Sequence, residues 1–86
     1  MARYSVEFSK RVAKDLRGIP KKEVELILAK IRDLAEEPLP PAAKKLKGDE
    51  LFRIRIGSYR VIYEIRDHLL VVFVVKVGHR KDVYRG

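Results

Sequence analysis

A chain of 86 residues with 47% apolar and 37% charged side chains can build one small domain with a modest core, and its apolar residues are too regularly spaced for a disordered chain. It holds no cysteine and no apolar run near the roughly 18 residues of a membrane helix, which excludes disulfides, thiolate metal sites and a transmembrane helix. The net charge of +8 is uneven: residues 1–43 hold nine Lys/Arg against seven Asp/Glu, and residues 44–86 hold eleven against five, so the second half carries the attraction for a polyanion such as RNA or DNA.

Residues 1–10 alternate charged and apolar side chains without the hydrophobic centre of a signal peptide, and the expected location is the cytoplasm. Arg3–Phe8 reads as a strand with Tyr4, Val6 and Phe8 on one face. Ser9 suits the N-cap of a helix over Lys10–Arg17, which Gly18 stops; its apolar stripe is Val12, Ala13 and Leu16. A longer helix begins near Pro20, with Val24, Ile27, Leu28, Ile31, Leu34 and Ala35 at i, i+3, i+4, i+7 spacing. Pro38, Pro40 and Pro41 end it and hold the next residues extended. Residues 42–47 read as a half-turn or coil, and Gly48-Asp49 as a loop.

Three strands follow, Leu51–Ile56, Tyr59–Arg66 and Leu69–Val77, separated by tight turns at Gly57-Ser58 and Asp67-His68. The unbroken apolar run from Leu69 to Val75 argues for an interior strand covered on both faces for part of its length. The order is βααβββ. The fold class is α+β, a single domain over residues 1–86, with both helices on one face of a mostly antiparallel sheet because neither stripe can otherwise be buried.

Side chains of a strand alternate, so Phe52, Ile54 and Ile56 face the core while Arg53 and Arg55 face away from it, and Arg60 follows just past the turn. Tyr59 and Tyr63 share a face with Val61 and Ile65 and read as core. The short hairpin thus offers three guanidinium groups to a substrate. No phosphate-binding loop, dinucleotide fingerprint or Ser/His/Asp arrangement is present, and His68 and His79 lack metal-ligand spacing, so neither cofactor nor metal is expected.

The remaining inventory of Arg, Lys, His and Tyr fits phosphodiester chemistry. Attack of a 2′-hydroxyl on its own 3′-phosphate needs charge neutralisation, which guanidinium groups supply. It also needs a proton acceptor, for which arginine is unsuited. His79 and Tyr84, near Arg80, are the candidates that remain, and a tyrosine also stacks on bases.

Four short motifs in this order and spacing, Lys45-Leu46-Lys47-Gly48, Phe52-Arg53-Ile54-Arg55, Gly57-Ser58-Tyr59-Arg60-Val61-Ile62-Tyr63 and Val77-Gly78-His79-Arg80-Lys81-Asp82-Val83-Tyr84, resemble the RelE/ParE toxin superfamily, and its RelE branch in particular. The resemblance runs from Tyr4 to Tyr84. It implies two helices packed on a curved sheet and the toxin of a type II toxin–antitoxin system: a metal-independent endoribonuclease that cuts mRNA in the ribosomal A site, beside ribosomal RNA, and is blocked by a cognate antitoxin. By position it implies that Arg53 and Arg55 engage the RNA backbone and assist catalysis, that Arg60 and Arg80 stabilise the scissile phosphate, and that Tyr84 orients the nucleotide by stacking. Lys45, Lys47, His79 and Lys81 are the further RNA-binding candidates. Well-known relatives carry lysine where this chain has Arg53 and Arg55, and arginine cannot be tuned toward neutral pKa as lysine can, so the general base stays open. The chain ends two residues past Tyr84, without the C-terminal helix of some relatives. The ParE branch, which poisons DNA gyrase, and a non-catalytic RNA-binding module are the alternative functions.

Overall fold

The computed structural model describes residues 3–46 and 50–79. In chain order the elements are β1 (Ser5–Phe8), α1 (Lys10–Arg17), α2 (Lys21–Asp33), β2 (Lys44–Lys45), β3 (Leu51–Ile56), β4 (Tyr59–Arg66), a 3-10 turn (Asp67–Leu69) and β5 (Val71–His79). The strands form one sheet in the order β1-β5-β4-β3-β2. The two helices carry the chain from β1 at one edge to β2 at the other, and the chain then returns through β3 and β4 to β5, which lies parallel to β1; every other pairing is antiparallel. The expected order and fold class hold, with a two-residue edge strand added at β2.

The α2 stripe packs as its spacing requires. Ile27 and Ile31 of α2 and Leu34 at its C-cap are buried against Val12 of α1 and Val61, Tyr63, Val72, Val74 and Val77 of the sheet, with Val24 and Leu28 partly covered, and Ala35 just past the helix is buried as well. In α1 the stripe is narrower than expected. Ala13 is exposed, and Asp15 takes a sheet-facing position beside Val12 and Leu16.

Three strand boundaries moved. The first strand begins at Ser5, not Arg3, and the last runs over Val71–His79, not Leu69–Val77. Leu70 caps the 3-10 turn in the left-handed region at φ 53°, which takes Leu69 and Leu70 out of the sheet and leaves both exposed. The Gly57-Ser58 turn has glycine at its first central position with φ 61°, as a two-residue hairpin of type II′ requires.

One irregularity in β5 decides which side chains face which way. The β4–β5 register runs Ile62↔Lys76 and then Tyr63↔Val74, so Val75 is an extra, bulged residue. Without it, Lys76 would alternate onto the helix-covered face with Val72 and Val74. With it, Val77 joins them in the core and Lys76 turns to the opposite face, opposite Ile62. β1 ends at Phe8↔Val74, and α1 then takes over the free edge of β5. Ser9 Oγ donates to the Val75 carbonyl (2.8 Å), and Asp15 Oδ2 accepts from the Val77 N–H (3.1 Å). Ser9 does occupy the N-cap position of α1, but its hydroxyl serves the bulge and not the helix.

Candidate nucleic-acid interface

Directly opposed residues of neighbouring strands share a face, so the pairings define the surface that the helices leave open. One row across it reads Lys44, Arg53, Ile62, Lys76 over β2, β3, β4 and β5. The next reads Arg55, Arg60, Gly78. Five cations thus lie on two adjacent rows, and Gly78 contributes no side chain, which keeps the end of the second row open. Ile62 is only 6% exposed although it lies on this outer face, between the positions of Arg53 on β3 and Lys76 on β5. Arg53 Nε is buried without a hydrogen-bond partner among the described residues, a donor whose desolvation is offset when an anion binds.

The other end of the same face is balanced. Glu64 accepts a hydrogen bond from Arg66, whose guanidinium lies 4.4 Å over the Phe73 ring. Glu7 lies opposite Phe73 on β1. The excess of positive charge is therefore concentrated beside the Gly57-Ser58 turn and the end of β5.

The structure brings Arg53, Arg55 and Arg60 together as their alternation requires. Lys45 and His79 are elsewhere. Lys45 stands opposite Phe52 on the helix side of the sheet and lines a cleft with Tyr4, Pro38 and Leu39. His79 stands opposite Tyr59, also on the helix side, and packs edge-on against its ring with centroids 5.8 Å apart. A hydrogen bond to the Glu23 carboxylate of α2 raises the Tyr59 phenol above its ordinary pKa, which ties the hairpin to the first turn of the helix. Tyr63 is fully buried, donates to the Pro38 carbonyl (2.7 Å), and desolvation pushes its phenol up to about 12. Lys47, Arg80, Lys81 and Tyr84 lie outside the described residues.

Lys44 and Lys76 are the residues of this face that sequence reasoning missed. A two-residue strand has no periodicity to read, so Lys44 had no assigned face. Lys76 carried a usable signal: it is the lone charge between Leu69 and Val77, and a charge inside an otherwise apolar strand must be turned out of the core. Among the described residues there is no group of three or more His, Cys, Asp or Glu able to hold a metal ion, and no helix long and apolar enough to cross a membrane.

A family model for the ParE toxin of type II toxin–antitoxin systems matches residues 6–84. The chain belongs to the RelE/ParE toxin family. Within that family it is 34% identical over 86 residues to toxin RelG of Mycobacterium tuberculosis, covering 95% of this chain and 97% of the relative. It is 31% identical over 85 residues to the mRNA interferase toxin RelE of Escherichia coli, covering 94% and 90%. The RelBE2 toxin–antitoxin complex of M. tuberculosis contains a chain that superposes with a TM-score of 0.82 at 31% identity, over 91% of this chain and 99% of that one. The RelE/ParE fold is therefore shared across its full architecture, and the chain is a RelE-type toxin of a toxin–antitoxin system.

Proposed function

We propose that this toxin is an endoribonuclease that cuts mRNA on the ribosome, using the open face of its sheet. The observation that carries the reading is the array of Arg53, Arg55 and Arg60 on two adjacent rows, directed away from the helices. Arg55 and Arg60 stand directly opposite one another, so that both guanidinium groups can reach one phosphate. A relative at 31% identity is named an mRNA interferase, which supports the same reaction class.

In the reaction the 2′-oxygen attacks the adjacent phosphorus and the P–O5′ bond breaks, leaving a 2′,3′-cyclic phosphate and a 5′-hydroxyl. The nucleophile is part of the substrate, so no metal-bound water is required. Arg55 and Arg60 hold the non-bridging oxygens as charge builds on them, and Arg53 anchors the neighbouring phosphate. Arg80 adds a third cation at the scissile phosphate, and Tyr84 stacks on a base to hold the strand in line. Lys45, Lys47, His79 and Lys81 are peripheral contacts to message or ribosomal RNA. A RelB-like antitoxin is the partner that silences the toxin, as the RelBE2 complex suggests for its own chain.

The test is a translation extract programmed with a defined message, with cuts mapped by primer extension. Cuts within A-site codons are expected, and a 2′-deoxy nucleotide at the cut position abolishes them. An uncut message overturns the reading, and inhibition of DNA supercoiling in its place favours the gyrase-directed alternative.

A further inference from the structure

The arginine face stabilises charge well but needs a group to take the 2′-hydroxyl proton, and a guanidinium does not release its own proton to become a base. The described residues narrow the choice. His79 is on the helix side against Tyr59. Glu64 is on the correct face but is held by Arg66. Lys44 is exposed at the sheet edge. Lys76 is half-buried on an interior strand, in the same row as Arg53, and diagonal to Arg60 because Arg60 pairs with Gly78. Diagonal neighbours on one face are within reach of long side chains.

Its orientation is also held on both sides. The carbonyl of Val75 and the N–H of Val77, which flank it, are bound by Ser9 and Asp15 of α1. The bulge at Val75 and these two contacts together turn one lysine out of an apolar strand and onto the arginine face. A charged residue placed by so specific a backbone device on the one face that needs a base points to a role in the chemistry.

We infer that Lys76 is the proton-transfer residue of this site, an inference that rests on the endoribonuclease reading above. In its free-amine form Nζ takes the 2′-hydroxyl proton as the P–O2′ bond forms. The P–O5′ bond breaks with its electron pair on the 5′-oxygen, which takes a proton from water. Arg60 and Glu64 lie diagonal to Lys76 on β4, Arg53 lies in its row on β3 beyond Ile62, and β1 has already ended beside it.

Single-turnover cutting of ribosome-bound mRNA tests this with Lys76→Ala and Lys76→Arg, with melting followed in parallel to confirm folding. Both variants are expected to cut about 100-fold more slowly, the range of a lost general base, with little change in half-saturation. Added methylamine restores cutting by Lys76→Ala, while tetramethylammonium, which has no proton-accepting nitrogen, does not. Cutting by Lys76→Arg within about threefold of wild type shows that charge alone suffices and overturns the inference, leaving the endoribonuclease reading in place. A wild-type protein that does not cut overturns both.

Discussion

Arg55 and Arg60 stand directly opposite each other across the β3–β4 hairpin. Arg55 is exposed, and a β-branched residue suits the pleated surface there better than a long cationic side chain. Arg55→Thr is expected to stabilise the fold by about 0.5 kcal/mol in urea unfolding while slowing RNA cutting. Loss of both stability and cutting would show that Arg55 contributes to packing instead.

The backbone around Lys76 depends on two side chains of α1. Ser9→Ala removes the hydroxyl that donates to the Val75 carbonyl, and Asp15→Ala removes the acceptor for the Val77 N–H. Each is expected to cost about 1–2 kcal/mol in denaturant unfolding and to loosen amide protection of residues 75–77 before that of the helices. Unchanged exchange at those amides in both variants would contradict this account of the bulge.

The same bulge explains how far the fold and the site were legible in the sequence. The period-two alternation of Phe52, Arg53, Ile54 and Arg55 placed the arginines on the open face, because β3 and its partner β4 pair there without interruption. The helical spacing of Ile27, Ile31 and Leu34 likewise identified the core face of α2. In β5 alternation fails, since one extra residue changes the phase between Val74 and Lys76, and periodicity across the whole strand then assigns Lys76 to the wrong side. For His79, a basic residue near Arg80 reads as part of the site, whereas the register sets it against Tyr59 on the opposite side of the sheet. Leu69 and Leu70 look like strand residues by composition, but the left-handed backbone at Leu70 is a tertiary choice that no local propensity signals.

Tyr63 gives the fold an alkaline limit. Its phenol is raised from 10.0 to about 12 by burial, so the folded state holds the proton more tightly than the unfolded one. Stability from this group is complete below pH 10 and is lost as pH rises from 10 to 12, by roughly 2–3 kcal/mol in all. Tyr4 and Tyr59, also raised, by hydrogen bonds to Asp67 and Glu23, act in the same direction. Tyr63→Phe is expected to be about 1 kcal/mol less stable at pH 7, through loss of the bond to Pro38, and to show a flatter decline above pH 10 in melting experiments. An equally steep decline in the variant would exclude Tyr63 as the source.

If the two cationic rows are the RNA-binding face, they are expected to set the salt dependence of binding. About four phosphate contacts predict a log–log slope near −3 for single-stranded RNA, and Arg53→Ala is expected to reduce its magnitude by about 0.7. A slope near zero in a titration with labelled RNA would show that this face does not read phosphates.

The most direct measurement is the single-turnover rate at which ribosome-bound mRNA is cut by the wild-type toxin and by an Arg55→Ala/Arg60→Ala variant. Removing the opposed pair is expected to slow cutting by at least about 100-fold while the variant still unfolds in one cooperative transition, because on this reading both guanidinium groups act on the phosphate of the transition state. Equal rates for the two proteins, or no cutting by the wild type, would contradict the assignment of the open sheet face as the site of RNA cleavage.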